Sequence, residues 1–194
     1  VSAGQNMHVV GTGLENGMAY VDVRFFSAGN DRSYHGLLFE PYGTGTATPG
    51  EKRYASVYVK HVGGTLAGVH QIFNRATNAA SGLLADTAIP FTPANGATVN
   101  LRDARVGIGH TMPALTAFAL PIYVAACAVG PAFDYTLRFA LPNMASGLTP
   151  LMPVPSAYAP LLATEARHVI SGNAFAQYFK GQGTYLIEFT PVTL

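Results

Sequence analysis

The sequence predicts an all-β protein, a β-sandwich or jelly roll with Gly- and Pro-rich loops and at most one or two short helices. Three observations carry this reading. Short runs alternate apolar and polar residues with a period of two, which is the pattern of a strand buried on one face. The chain's 21 Gly and 13 Pro punctuate those runs at fairly regular intervals. No strand–helix–strand alternation appears, which argues against a parallel sheet with crossover helices. At 194 residues the chain has room for one ordinary domain, taken as residues 1–194.

The elements follow in order. Residues 9–17, Val-Val-Gly-Thr-Gly-Leu-Glu-Asn-Gly, resemble a phosphate loop at first sight. The third glycine of the dinucleotide pattern would fall at Asn16, and the Lys-Ser/Thr of a P-loop is missing, so they read as a turn between strands. Residues 19–27 put Val21, Val23 and Phe25 on one face and Asp22 and Arg24 on the other. Residues 54–62 set Ala55, Val57 and Val59 against Ser56, Tyr58 and Lys60. Gly63-Gly64 then suggests a tight turn into a strand at 66–73, the best hairpin candidate in the chain. Further strands are expected at 97–101, 105–108, 116–129, 134–141 and 184–192. In the last, Tyr185, Ile187 and Phe189 share a face.

Helical signals are weak. Residues 157–170 could hold a short helix, limited at its start by Pro160, and 173–179 another turn or two. Residues 43–50, Gly-Thr-Gly-Thr-Ala-Thr-Pro-Gly, read as a flexible polar connector. Residues 142–160 form a proline-rich extended loop, with Pro142, Pro150, Pro153, Pro155 and Pro160 among Leu, Met, Ala and Tyr. Proline removes backbone donors, so this stretch is not expected inside a sheet. It is also apolar, so it is expected to cover an apolar surface. Leu148, Leu151, Met152, Val154, Tyr158 and Leu161 are the candidate subunit-contact residues.

Composition bounds the function. Charged residues are 11% of the chain, against roughly 25% in typical soluble domains. The net charge is +1 and the basic residues are scattered singly, so binding to nucleic acid by charge is not expected. Hydrophobic residues make up 49%, ample for a core and unlike a disordered chain. The first residues show no basic region followed by an apolar one, and no stretch reaches the roughly 20 apolar residues of a membrane span. Neither a leader nor a membrane segment is therefore expected.

The reactive side chains give no constellation. Cys127 stands alone in the apolar run 120–129 and reads as a small buried hydrophobe. Of the six histidines, none falls at metal-ligand spacing, and the strand histidines are expected to face solvent. No Gly-x-Ser-x-Gly occurs, and Asp103 between Arg102 and Arg105 reads as a local ion-pair cluster. No catalytic, cofactor or metal site is expected. Tyr20, Tyr54 and Tyr58 could stack a sugar, although strand aromatics more often pack a core.

Residues 50–73, GEKRYASVYVKHVGGTLAGVHQIF, resemble a module of tailed-bacteriophage virion structural proteins. There a strand ending in Lys-Asn precedes a short turn and a second strand; Lys60-His61 stands here in place of that pair. The resemblance implies a non-enzymatic virion component (head decoration, neck or tail) that associates with itself and with other virion proteins. A jelly-roll coat protein of a small virus is an alternative, weakened by the absence of Lys or Arg before Arg24. A carbohydrate-binding module or receptor-binding tip is another. An exposed row of Tyr on one sheet face would favour it.

Overall fold

A computed structural model describes residues 6–29, 34–39 and 45–147. Their strands are β1 (Asn6–Glu15), β2 (Met18–Ser27), β3 (Tyr34–Leu38), β4 (Lys52–Thr65), β5 (Val69–Thr77), β6 (Leu83–Phe91), β7 (Ala94–Asn95), β8 (Arg105–Thr111), β9 (Phe118–Ala126) and β10 (Phe133–Ser146). A single 3-10 turn, Leu101–Asp103, is the sole helical element among the described residues. The large sheet runs β1-β2-β10-β4, and the far edge of β4 pairs with β8 and β7. The small sheet runs β3-β9-β5-β6. All pairs are antiparallel except β4 with β7. The expected all-β sandwich is the observed fold.

The alternating residues decide which faces meet. Val23 and Phe25 of β2, Val57 and Val59 of β4, and Tyr135, Leu137 and Phe139 of β10 point inward from the large sheet. Ile72 of β5 and Tyr123 and Ala125 of β9 meet them from the small sheet. The centre is aromatic. Phe25 stacks on Tyr135 at 5.2 Å, and Tyr123 meets the edge of Phe139 at 5.0 Å. Such pairs contribute about 0.5–1.5 kcal/mol each beyond their burial. Asn74 of β5, fully buried, ties the sheets at one edge by donating to the carbonyls of Arg53 and Ile108. The outer side of β9 is apolar too: Leu120, Ile122 and Val124 are buried there, with Phe73 against them.

The structure moves several expected boundaries. Gly63-Gly64 is not a hairpin turn. β4 continues through both glycines to Thr65, and β5 belongs to the opposite sheet. Gly64 does adopt positive φ, +76°, but beside Tyr135 in an irregular stretch of the β4–β10 ladder. The chain changes sheets at 66–68, where Gly68 has φ +89°. The turn read at 9–17 narrows to Asn16-Gly17, both at positive φ as a type I′ hairpin requires, and the residues before it form β1. The strand expected at 97–101 is instead a turn leading into the 3-10 element. Residues 142–146, expected within the proline-rich loop, are strand instead: Pro142 lies within β10. The ladder is interrupted there between Ala140 and Asn143, so the missing N–H is tolerated. The expected elements at 157–170, 173–179 and 184–192, and the contact residues Leu148, Leu151, Met152, Val154, Tyr158 and Leu161, lie outside the described residues.

Candidate recognition site

The outer face of the large sheet carries charged and polar side chains together with Tyr20, Phe26 and Tyr58. Register places them in rows across β2, β10 and β4. Tyr20, Ala140 and Tyr58 form one row, Asp22, Arg138 and Lys60 the next. Phe26, Asp134 and Thr65 form the last. These are the alternate residues left over when Val23, Phe25, Val57 and Val59 turn inward.

One end of this face is closed. Glu15 Oε1 accepts from Lys60 Nζ at 2.6 Å and from the Leu101 amide at 2.9 Å, while Oε2 accepts from Arg138 at 2.8 Å. Arg138 also donates twice to Asp22, at 2.8 and 2.9 Å. Burial opposes ionisation of Glu15, but the bonds from Lys60, Leu101 and Arg138 outweigh it and hold its pKa at about 2. The network locks the β1–β2 hairpin to the 3-10 element. It also occupies the tyrosines. The Arg138 guanidinium lies 3.5 Å from the centre of the Tyr20 ring, and Tyr58 is buried in a cluster with Met18, Leu101 and Ala140. Tyr20, Tyr54 and Tyr58 therefore do not form an open row of stacking platforms.

The other end is open. Arg24 and Asp134 make a two-pronged ion pair at 2.7 and 2.6 Å, with both side chains nearly half exposed. The Arg24 guanidinium sits 5.2 Å over the Phe26 ring. The hydrogen bond from Arg24 holds the Asp134 carboxyl below its ordinary pKa. Beside the pair is a depression of about 330 Å³, lined by Phe26, Ala28, Thr65, Ala67, Phe133 and Asp134 among others. That volume is at the lower end of the range for small-molecule sites. A partly exposed ring with Arg24 over one face, next to a donor and an acceptor of cancelling charge, suits a ligand with apolar faces and hydroxyl edges.

The remaining reactive residues behave structurally. Cys127 is buried, as read from its apolar run, and burial pushes its thiol pKa up. His35 and His70 correct the expectation of solvent-facing histidines, since both point into the core and are buried. His70 Nδ1 shares a 2.7 Å hydrogen bond with the Tyr123 hydroxyl. Arg102 and Arg105 do not cluster around Asp103. Arg102 donates to the Asn16 carbonyl and Arg105 to the Ser56 hydroxyl. No group of three metal-ligating side chains occurs among the described residues. No helix among them is long and apolar enough to cross a membrane. Sequence reasoning had placed Asp22 and Arg24 on the outward face but missed Phe26 and Asp134. Their pairing joins residues more than a hundred positions apart, and no local signal announces it.

No family model and no curated relative matches the chain. Among the solved structures similar in part are the following three. One is described as "CBM4 structure and function", with 12% identity over 75% of this chain and 81% of that one, at a TM-score of 0.41. A second is the CBM22-1–GH10 portion of Clostridium thermocellum xylanase 10B complexed with xylohexaose. It is 17% identical over 74% of this chain and 26% of that one, at a TM-score of 0.40. The third belongs to a study of promiscuous specificity in carbohydrate-binding modules of the β-sandwich superfamily. It is 12% identical over 74% and 58% of the two chains, at a TM-score of 0.39. None of these values reaches the level at which function follows from likeness.

Proposed function

We propose that this chain is a non-enzymatic recognition module that binds a neutral carbohydrate chain at the open end of the large sheet. The observation that carries the reading is the depression lined by Phe26 and Asp134, whose carboxylate holds the exposed Arg24. A sugar ring presents an apolar C–H face to an aromatic ring and hydroxyls to neighbouring donors and acceptors. Phe26 supplies the ring that lines the depression, through the face not taken by Arg24; Arg24 supplies the donors, Asp134 and Thr65 the acceptors. The paired charges cancel, which favours a neutral ligand over an ion. The test is titration with neutral oligosaccharides, xylohexaose and a glucan hexamer among them, followed by calorimetry or NMR. Phe26→Ala should weaken binding by roughly tenfold or more while the melting temperature stays near the parent's. Absence of binding, or binding that Phe26→Ala leaves unchanged, would overturn the reading.

A second reading, a self-associating structural subunit of a tailed-phage virion, is favoured by a different observation. Large apolar side chains stay exposed along β1, where Val9 and Leu14 keep 66% and 71% of their surface. Together with the low charge fraction, this fits a surface covered on assembly. Mass photometry of the purified chain over a concentration series checks it. A single-chain mass throughout would sink it.

A further inference from the structure

We propose that β1 is a self-pairing edge, which joins the large sheets of two copies antiparallel about a twofold axis. The inference rests on the second reading only in taking a copy of this chain as partner, and it names the surface that reading left open.

β1 ends the large sheet. Among the described residues it pairs with β2 alone, so the alternate residues whose N–H and C=O do not bond β2 turn them toward an edge that no described strand covers. Natural edges are usually blocked by Lys, Pro, an inward charge or a bulge. β1, Asn-Met-His-Val-Val-Gly-Thr-Gly-Leu-Glu, carries no Lys, Pro or inward charge, and its one device is the bulge at Val10, which a second copy has to match. Its one carboxylate, Glu15, is already held by Lys60 and Arg138 of its own chain. Two copies brought together here would therefore meet no unpaired like charges.

The core-side surface also runs out past the small sheet. β3 is five residues long and sits over β2, where His35 meets Phe25. Beyond β3, no described strand roofs Val9 and Leu14 of β1 or Val21 of β2, which stay 66%, 71% and 37% exposed. The bulge at Val10 then makes the strand self-complementary. Before it Met7 and Val9 face the core side; after it Thr12 and Leu14 do, opposite Val21 and Ala19. A twofold between Val10 and Gly11 sets Met7 against Leu14 and Val9 against Thr12, all on the core side. It sets His8 against Gly13 on the outer side, where glycine leaves room for the ring. Every side chain keeps to its own face, as sheet pairing demands. An isologous contact needs this kind of self-match.

One strand pair with a narrow apolar ledge falls short of the roughly 1,200–2,000 Å² of a stable interface. The contact is therefore weak in dilute solution and is strengthened where copies are held close together. Sedimentation equilibrium of the whole chain tests it, from about 1 μM to 1 mM, the range a small interface implies. The parent's average mass should rise toward two chains. Val9→Lys/Leu14→Lys should stay at one chain with an unchanged melting temperature, since both positions are exposed. Val69→Lys, at an exposed site on the other sheet, should associate as the parent does. Hydrogen exchange adds a readout independent of variants: amides within residues 7–14 should slow as chain concentration rises. Association that the double variant leaves intact, or β1 exchange indifferent to concentration, overturns the β1 assignment while self-association survives. A parent that stays single to the highest concentration overturns both, and neither result touches the oligosaccharide titration.

Discussion

His70 and Glu15 show how single side chains tie stability to pH. His70 is 3% exposed, and its pKa is lowered to about 4, first by burial and then by the nearby His61 charge. The unfolded chain binds this proton near pH 6.5, the native chain only near 4, so the unfolded state gains stability as pH falls between them. A loss on the order of 3 kcal/mol across that window is expected from the shift. His70→Gln should flatten the melting temperature between pH 6.5 and 4; an unchanged slope would clear His70 of the effect. Glu15 acts lower. Its pKa is depressed to about 2, so its contribution is complete above the ordinary value of 4.5 and drains away as pH falls toward 2. Glu15→Gln leaves Lys60, whose side chain is 5% exposed, without its carboxylate. A loss of about 1–3 kcal/mol by denaturant titration at pH 7 is expected, below the roughly 3–5 kcal/mol of a fully buried pair because Glu15 keeps 18% of its side-chain surface. Glu15 was legible only as one dispersed carboxylate. Its partners Lys60, Leu101 and Arg138 come from three other elements.

Elements were more legible than their partners. The alternation at 19–27 placed β2 within a residue of its true start; of the face it grouped, Val23 and Phe25 are in the observed core, while Val21 is 37% exposed. The run at 54–62 likewise marked the inward Val57 and Val59 of β4. What failed was the inference that two runs separated by Gly-Gly pair with each other. Either glycine can serve a hairpin or a strand irregularity, and only the neighbouring strand decides which. At Gly64 that neighbour is β10: a Cβ there would meet the Asp134 carbonyl and come within 2.8 Å of Tyr135 Cα, and φ is positive. At Gly63 a Cβ would find Thr136 at an ordinary 3.8 Å. Gly64→Ala should therefore cost roughly 2 kcal/mol or more, and Gly63→Ala less than about 1, from strain and β propensity. Equal losses in chemical denaturation would return the pair to a simple turn. β1 was missed as a strand because its Gly11 and Gly13 look like a loop. Its register is set by Asn16-Gly17, a strong hairpin signal, and by contact with β2.

At the scale of the whole molecule, low charge and exposed apolar edges bear on assembly. If copies pair through β1, the contact is made by backbone hydrogen bonds and apolar side chains, which salt does not screen. Raising NaCl from about 0.05 to 1 M, a range that shrinks the Debye length several-fold, should change the association constant by less than roughly threefold. A loss of an order of magnitude would point to ion pairs instead. The sequence by itself determined that this is a β protein, that Val23 and Phe25 of β2 and Val57 and Val59 of β4 turn inward, and that charged residues are few. It could do so because period-two patterning, propensity and composition are local properties. Only the tertiary structure decided that β4 and β5 lie in opposite sheets, that Arg24 meets Asp134 beside Phe26, that Arg138 covers Tyr20, and that β1 is left at an edge. Each of these depends on which strands are neighbours. Backbone hydrogen bonds are the same for every strand and carry no address, so the choice falls to the packing of side chains brought together across the whole chain.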